Sequence, residues 1–250
     1  MNRLQVETQK DVLKNEISRE ALKSELRPSM HKSLERFYKK SKSPQIPNHE
    51  QLLVGDIVLS RPMKNGVVTP SVVETTQIEH GYSSEAAYWT HVSLYVGDLH
   101  IIESQGFKDI EYWKNGWRKN TGVQVKPITK YSSTHDVIIL RNTHPEFSNN
   151  RGLIARFALL DHTVFPRKYD WNTALEAAPT RRFKKRSKPK LDERINCSEF
   201  ILECYAIGGS VLVPEYVSVS NGEKFFLPAT FYQHKSFEKI DFDYLTITNE

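Results

Sequence analysis

The chain has 250 residues, of which 38% are hydrophobic and 26% charged. Such a chain can bury one sizeable core and is not disordered overall. No apolar run approaches the roughly 20 residues that a transmembrane helix needs, and charges stand near the N-terminus where a signal peptide would be apolar. The net charge of +5 comes from one run, 181–190, which holds seven basic residues. We therefore expect a cytoplasmic protein, with export by a route other than the general secretory pathway left open.

The first part of the chain, residues 1–46, is expected to be a helical extension that ends in a linker, ahead of a main domain at 47–250. The stretch DVLKNEISREALKSEL predicts a helix because its apolar residues lie near one helix face: Leu13, Ile17, Ala21 and Leu26. A second short helix is predicted in MHKSLERFYKK, and the polar stretch SKSPQIPNHE is typical of a linker. The simpler interpretation is two helices packed on the main domain, and a partner-binding or autoinhibitory arm is the alternative.

From Leu52 onward the pattern changes to that of β-strands. LLVGDIVLSRP is an apolar run, and HVSLYVGDLHIIES holds two such runs around Gly97-Asp98, which predicts a hairpin. GVQVKPI and DVIILRN are further predicted strands, and NNRGLIARFALLDH has the spacing of a helix. Near the C-terminus, prolines in SVLVPEYV and FFLPATFYQH mark strand edges or loop turns. The chain shows no internal repeat.

Both cysteines lie in the stretch INCSEFILECY. Asn196 followed by Glu199 has the pattern of a helix N-cap and its capping-box partner. Cys197 is therefore predicted to be the first residue of a helix that runs to Ile207. On this helix the two cysteines lie about 10.5 Å apart, whereas a disulfide needs Cα atoms within roughly 7 Å. Two cysteines that cannot pair fit a reducing compartment best.

The start of this helix would favour a thiolate at Cys197, because the helix dipole places positive charge on the sulfur. The inward face of the helix would hold Cys197, Phe200, Ile201, Cys204 and Ile207. A thiol at a capped helix start that is aimed into the fold is how a nucleophilic cysteine is built. Cysteine is also among the residues most often buried without any function. A packing role therefore stays open for Cys197 at this point, and it fits Cys204 well.

A nucleophilic cysteine needs a histidine that a third group orients. His91 opens a predicted strand, and Glu103 lies on the strand that follows. Other histidines lie in the N-terminal segment or in stretches without a predicted strand: His31, His49, His80, His135, His144, His162 and His234. His91 is therefore the best-supported base, and Glu103 is its candidate partner.

The turn at Gly97 decides whether Glu103 and His91 share a face, because side chains alternate across a sheet. A regular two-residue turn at Gly97-Asp98 would place them on opposite faces. A three-residue loop would place Glu103 opposite Ser93 on the His91 face, roughly 7–8 Å from His91 at Cα. We predict the odd-numbered turn, or a bulge with the same effect.

Taken together, GDIVLSRP, HVSLYVGDLHIIES, YDW and NCSEFILECY resemble the circularly permuted branch of the NlpC/P60 superfamily, the YiiX-like papain-fold hydrolases, to which lecithin retinol acyltransferase is related. In that branch the histidine precedes the cysteine and a third polar residue lies twelve positions after the histidine, as Glu103 follows His91. Relatives often have histidine there, so Glu103 is a variant. The resemblance spans residues 52–227. It implies an α+β, permuted papain-like fold in which an antiparallel sheet packs on the helix bearing the cysteine.

The resemblance also implies an activity. The expected protein is a cysteine hydrolase that cleaves an amide bond, such as one in a cell-wall peptide, through Cys197, His91, Glu103 and a thioester acyl-enzyme. A lipid acyl hydrolase or acyltransferase of the same fold is the alternative enzyme. No cofactor and no metal are expected.

Three residues in and after KYDW are secondary candidates. Tyr169 is similar to a family tyrosine near the active site and is a candidate for substrate binding or oxyanion support. Asp170 and Asn172 are fallback groups for orienting the histidine.

The basic run 181–190 could bind an anionic partner such as a lipid surface, a nucleic acid or an import receptor. Most such runs are solvated loops, and no specific nucleic acid is predicted. The run stands just before Cys197 and so could gather an anionic amide or acyl substrate. A third interpretation is a non-catalytic binding module that recruits its partner through this run. The sequence does not indicate the oligomeric state.

Overall fold

The computed structural model describes residues 16–18, 45–63, 68–106, 122–131, 135–164, 167–169, 194–207 and 226–248. Within these ranges the protein is a mixed α and β structure whose largest part is a six-stranded antiparallel sheet. Two predicted segments, the helix at 30–40 and the stretch at 210–217, lie outside the described residues, as does the basic run 181–190.

The described strands are β1 Glu16–Ser18, β2 Gln45–Pro47, β3 Ile57–Pro62, β4 His91–Gly97, β5 His100–Gln105, β6 Gly122–Pro127, β7 His135–Asn142, β8 Lys168–Tyr169, β9 Arg194–Ile195, β10 Phe237–Ile240 and β11 Tyr244–Thr248. The helices are α1 Val68–Glu79, α2 Ser84–Ala87, α3 Pro145–Val164, α4 Cys197–Ile207 and α5 Pro228–Gln233, with 3₁₀ turns at His49–Gln51 and Ile128–Tyr131. The strands predicted between residues 52 and 142 are confirmed as β3 to β7, and the two helices predicted around residues 149–162 and 197–207 as α3 and α4. Among the described residues, no helix has the length and apolar character needed to cross a membrane.

The large sheet has the strand order β10-β7-β3-β4-β5-β6 and is covered on both faces. Side chains alternate across each strand, so one strand feeds two cores. One core lies against α3 and α4 and contains Leu59, Val92, Leu94, Phe200 and Cys204. The other lies against β2, β11 and the 3₁₀ turn Ile128–Tyr131 and contains Ile46, Val58, Tyr95, Ile101 and Leu245. Helix α4 is thereby packed against the strands that carry His91 and Glu103.

The secondary structure predicted for the N-terminal segment is wrong where the structure describes it. Glu16–Ser18 is a strand that pairs in parallel with β11, not part of a helix. Apolar residues spaced four apart, as Leu13, Ile17 and Ala21 are, also share one face of a strand, so the pattern does not exclude one. The predicted linker contains another strand, Gln45–Pro47. It is an edge strand of a small three-stranded sheet with the order β1-β11-β2. Ile46 is fully buried in its core.

The prediction for Pro228 is also corrected. It begins helix α5 instead of marking a strand edge or a loop turn. Proline suits the first position of a helix because that residue has no intrahelical partner for an N–H group and because the φ of proline is helical. The N–H of Ala229 donates to the buried side chain of Gln77, which ties α5 to α1.

Candidate active site

Cys197 is the first residue of helix α4, as predicted. The side-chain oxygen of Asn196 accepts from the N–H of Glu199 at 2.9 Å, and the Glu199 carboxylate accepts from the N–H of Asn196 at 3.2 Å. This reciprocal pair is the predicted capping box. It leaves the N–H groups of Cys197 and Ser198 at the positive end of the helix, where no intrahelical acceptor precedes them. The predicted stop at Gly208-Gly209 lies outside the described residues.

The residues just ahead of Cys197 are held by neighbouring strands. The hydroxyl of Ser104 donates to the carbonyl of Ile195 at 2.7 Å, and Ser104 is fully buried. Strand β9 also pairs in parallel with β8, which places Tyr169 beside Ile195. The structure thus brings the backbone of Tyr169 close to the approach to Cys197. The fallback residues Asp170 and Asn172 lie outside the described residues.

The β4–β5 hairpin contains a bulge. Tyr95 pairs with Ile101, whereas Gly97 pairs with His100, so Val96 is an extra residue on β4. An extra residue on one strand reverses the face that every later residue occupies relative to its partner strand. The bulge that the hypothesis of a His91–Glu103 pair required is confirmed.

The turn of this hairpin lies at Asp98 and Leu99 and has two residues. Their φ angles of 48° and 59° are both left-handed, as in the two-residue turn whose twist matches that of the flanking strands. The bulge compensates for this even-numbered turn, and the register places Glu103 opposite Ser93, on the face of His91.

Glu103 and His91 are in direct contact. The Nε2 atom of His91 lies 2.7 Å from a carboxylate oxygen of Glu103. Glu103 is fully buried, whereas the side chain of His91 is 19% exposed. Burial tends to raise the pKa of the Glu103 carboxyl, but the charges of Lys130 and His91 outweigh it and hold the pKa well below its usual range. The carboxylate is therefore ionised.

The ring of His91 links this carboxylate to Cys197. Burial alone would lower the pKa of His91, but the charge of Glu103 and hydrogen bonds with Cys197 and Glu103 raise it to about 9. Burial alone would raise the pKa of the Cys197 thiol, but the hydrogen bond and the charge of His91 lower it below its ordinary value. Because Nε2 contacts Glu103, Nδ1 is the nitrogen left for the sulfur. These opposite shifts favour a thiolate beside an imidazolium over the neutral pair.

Two more groups near the Cys197 sulfur act in the same direction. The backbone N–H of Val92 and the hydroxyl of Ser198 both lower the pKa of the thiol. The hydroxyl oxygen of Ser198 lies 3.9 Å from the sulfur. Val92 follows His91 in β4, so the strand that carries the histidine also provides a donor to the cysteine.

The carboxylate also has a partner that the sequence did not indicate. The Nζ atom of Lys130 donates to both oxygens of Glu103 at 2.6 Å. Beside it, the hydroxyls of Tyr131 and Ser93 share a hydrogen bond of 2.7 Å. Lys130 lies 27 residues after Glu103, and only the register of β5 with β6 brings the two together. A lysine in a short polar stretch carries no signal by which this contact could be found.

His135 is one histidine whose predicted context was wrong. It is the first residue of β7, not part of a stretch without a strand. Burial, followed by the charges of Lys130 and His91, lowers its pKa to about 3. A histidine with so low a pKa is a weak base and therefore a poor competitor for the role of His91. Its ring packs edge-on against Tyr131.

No protein-family model matches the chain, and no curated protein matches it. Within the described ranges, no group of three or more His, Cys, Asp or Glu residues is arranged to hold a metal ion.

Proposed function

We propose that the protein is a cysteine hydrolase that cleaves an amide bond through a thioester acyl-enzyme. The observation that carries the proposal is the contact chain from the buried carboxylate of Glu103 through His91 to Cys197 at the capped start of α4. Covalent acyl transfer needs a nucleophile, a base in contact with it and a third group that orients the base.

In the proposed reaction the Cys197 thiolate forms a bond to the carbonyl carbon, and the carbonyl π electrons move to its oxygen. The N–H of Cys197 at the helix start is placed to donate to that oxyanion. The intermediate collapses to a thioester as the C–N bond breaks, and the imidazolium of His91 protonates the departing amine. Neutral His91 then removes a proton from water, and the resulting oxygen nucleophile bonds to the thioester carbon. The C–S bond breaks, which releases the acid and restores the Cys197 thiolate and the His91 imidazolium. Glu103 orients the ring throughout.

The NlpC/P60 resemblance supports an amide, such as one in a cell-wall peptide, as the substrate class. Tyr169, whose strand pairs beside Ile195, is proposed to support substrate binding. A permuted papain-like arrangement of the fold belongs to the same proposal.

The test is a screen of the wild-type chain, Cys197→Ala and Cys204→Ala on peptidoglycan peptides and on acyl lipids. We expect amide cleavage by the wild type and by Cys204→Ala, with an acyl adduct on Cys197 found by mass spectrometry. Turnover of acyl lipids alone would replace the amide by an ester as the substrate. Equal activity in Cys197→Ala, or no adduct on Cys197 with either class, would overturn the proposal.

A further inference from the structure

Lys130 is a cation that the proposed mechanism does not use, although it shares a carboxylate with the proposed base. Its Nζ atom lies 2.6 Å from each oxygen of Glu103, and the His91 ring lies 2.7 Å from one of them. Glu103 is fully buried, so water screens these interactions little. The Lys130 ammonium and the protonated His91 ring therefore both interact with the same carboxylate.

The position of Lys130 is built into the fold. It belongs to the 3₁₀ turn Ile128–Tyr131, where the N–H of Ile128 donates to the carbonyl of Leu99 at 2.7 Å. At the other end of the turn, Tyr131 is buried and its hydroxyl bonds Ser93. The Lys130 side chain is only 17% exposed, which distinguishes it from a surface lysine that meets an acid by chance.

We propose that Lys130 is a positioning residue of this site, which fixes the Glu103 carboxylate against His91 and limits how firmly that carboxylate holds the imidazolium proton. The inference rests on the proposed function, because the strength with which Glu103 stabilises the imidazolium affects the reaction only if His91 transfers its proton. A general acid works best when its pKa lies near the working pH. With Lys130 bound to the carboxylate, Glu103 can orient the His91 ring without stabilising the imidazolium so strongly that proton transfer to the substrate is hindered.

The ionisable groups around His91 support this division of charge. Glu103 from β5 carries negative charge, as does Cys197 from α4 in its thiolate form, and Lys130 balances one of these two charges. Tyr131 stays a neutral phenol, because burial and then the charge of Glu103 raise its pKa well above the usual value. His135 from β7 is also neutral, since its pKa is about 3. The thiolate, imidazolium, carboxylate and ammonium therefore sum to zero, and loss of Lys130 leaves one excess negative charge.

Without Lys130 the whole attraction of Glu103 acts on His91, and the repulsion between two cations is gone. The imidazolium should then persist to higher pH than in the wild type. Substitution of a lysine that only supported the fold would change the stability of the protein. It would not change the pH at which the imidazolium loses its proton.

The experiment measures alkylation of Cys197 by iodoacetate as a function of pH, with Lys130→Met and Lys130→Arg beside the wild type. Iodoacetate is an anion that the imidazolium attracts, so its rate falls when His91 loses its proton. The pH at which the alkylation rate falls is the upper pH limit of the reaction. We expect Lys130→Met to raise this limit by on the order of one pH unit, the size of shift that a neighbouring charge produces. Lys130→Arg keeps the charge and should stay close to the wild type. An unchanged limit in a folded Lys130→Met protein would overturn the inference.

A second comparison covers the case in which Lys130→Met does not fold. In a Glu103→Gln background Lys130 has lost the carboxylate charge, so adding Lys130→Met should raise both the upper pH limit and the urea midpoint. In the wild-type background the same substitution should lower the urea midpoint, and a variant that does not fold even without urea counts as the extreme of that result. If the midpoint changes in the same direction in both backgrounds, Lys130 does not act through Glu103. Failure of the hydrolase proposal would look different, because it would appear in the substrate screen as no turnover and no acyl adduct on Cys197, whatever the pH dependence of alkylation.

Discussion

The two cysteines of α4 show how position on one helix changes the chemistry of the same side chain. Cys204 is fully buried, and burial together with the charges of Asp161 and Glu203 raises its pKa well above the usual value. Cys197 is also buried, at 7% exposure, yet its pKa is lowered. Burial acts in the same direction on both thiols. What separates them is His91, which only the start of the helix reaches.

The largest expected effect comes from removing each sulfur in turn. Cys197→Ala should abolish labelling by a thioester-forming acyl probe, because the bond is made by that sulfur. Cys204→Ala should retain labelling and lose about 1 kcal/mol of unfolding free energy, because it leaves a small cavity among well-packed side chains. Mass spectrometry of the labelled protein and urea unfolding measure the two results. Acyl labelling of Cys204 at the rate of Cys197 would remove the distinction between the two sites.

The next effect is expected at the carboxylate that polarises His91. Glu103→Gln removes the negative charge that holds the imidazolium, so the pKa of His91 should fall and Cys197 should lose its counter-ion. We expect alkylation of Cys197 by iodoacetate at neutral pH to slow roughly tenfold or more, since each pKa unit changes the ratio of the two forms tenfold.

Asp56 offers a matched control for that substitution. It is also fully buried and binds two cations, Arg141 at 2.6 Å and Arg151 at 3.1 Å. Asp56→Asn should lower the unfolding free energy by about 3 kcal/mol, because it leaves guanidinium groups without their counter-ion. In the folded protein the alkylation rate of Cys197 should not change. A similar loss of rate in both variants would mean that Glu103 acts through general stability.

The smallest effect is expected at the helix cap. Asn196→Ala removes the acceptor for the Glu199 N–H and should cost about 1 kcal/mol of unfolding free energy. The thiolate would also lose part of the ordered positive end of the helix, so alkylation at neutral pH should slow roughly twofold to fivefold. Ser83→Ala is the control, because Ser83 caps the separate helix α2. It should leave the alkylation rate of Cys197 unchanged, and an equal slowing would show that the cap of α4 has no specific part.

Much of this site could be predicted from sequence because its signals are local. The capping box lies within four residues of the chain, and the histidine and glutamate lie on consecutive strands. The bulge at Val96 could be inferred only by requiring that Glu103 and His91 share a face, since the residues of the turn alone favour the opposite register.

The parts that could not be predicted depend on contacts between distant segments. Lys130 reaches Glu103 through the register of β5 with β6, and no local pattern encodes that distance. The small sheet joins β1, β2 and β11 from opposite ends of the chain. Its strands have three to five residues, too short to show an alternating pattern that could be told from a helix or a linker.

The most direct test of the central claim is the pH dependence of iodoacetate alkylation at both cysteines of the wild-type protein, quantified in one experiment. The pKa of Cys197 is lowered and that of His91 is raised to about 9. The imidazolium is therefore present below that pH and is lost as the pH rises through it. We predict that Cys197 reacts at neutral pH, that its rate falls as the pH passes about 9, and that Cys204 stays unmodified. A Cys197 rate that rises with pH through about 8.5, the value of an ordinary thiol, would contradict the thiolate–imidazolium pair.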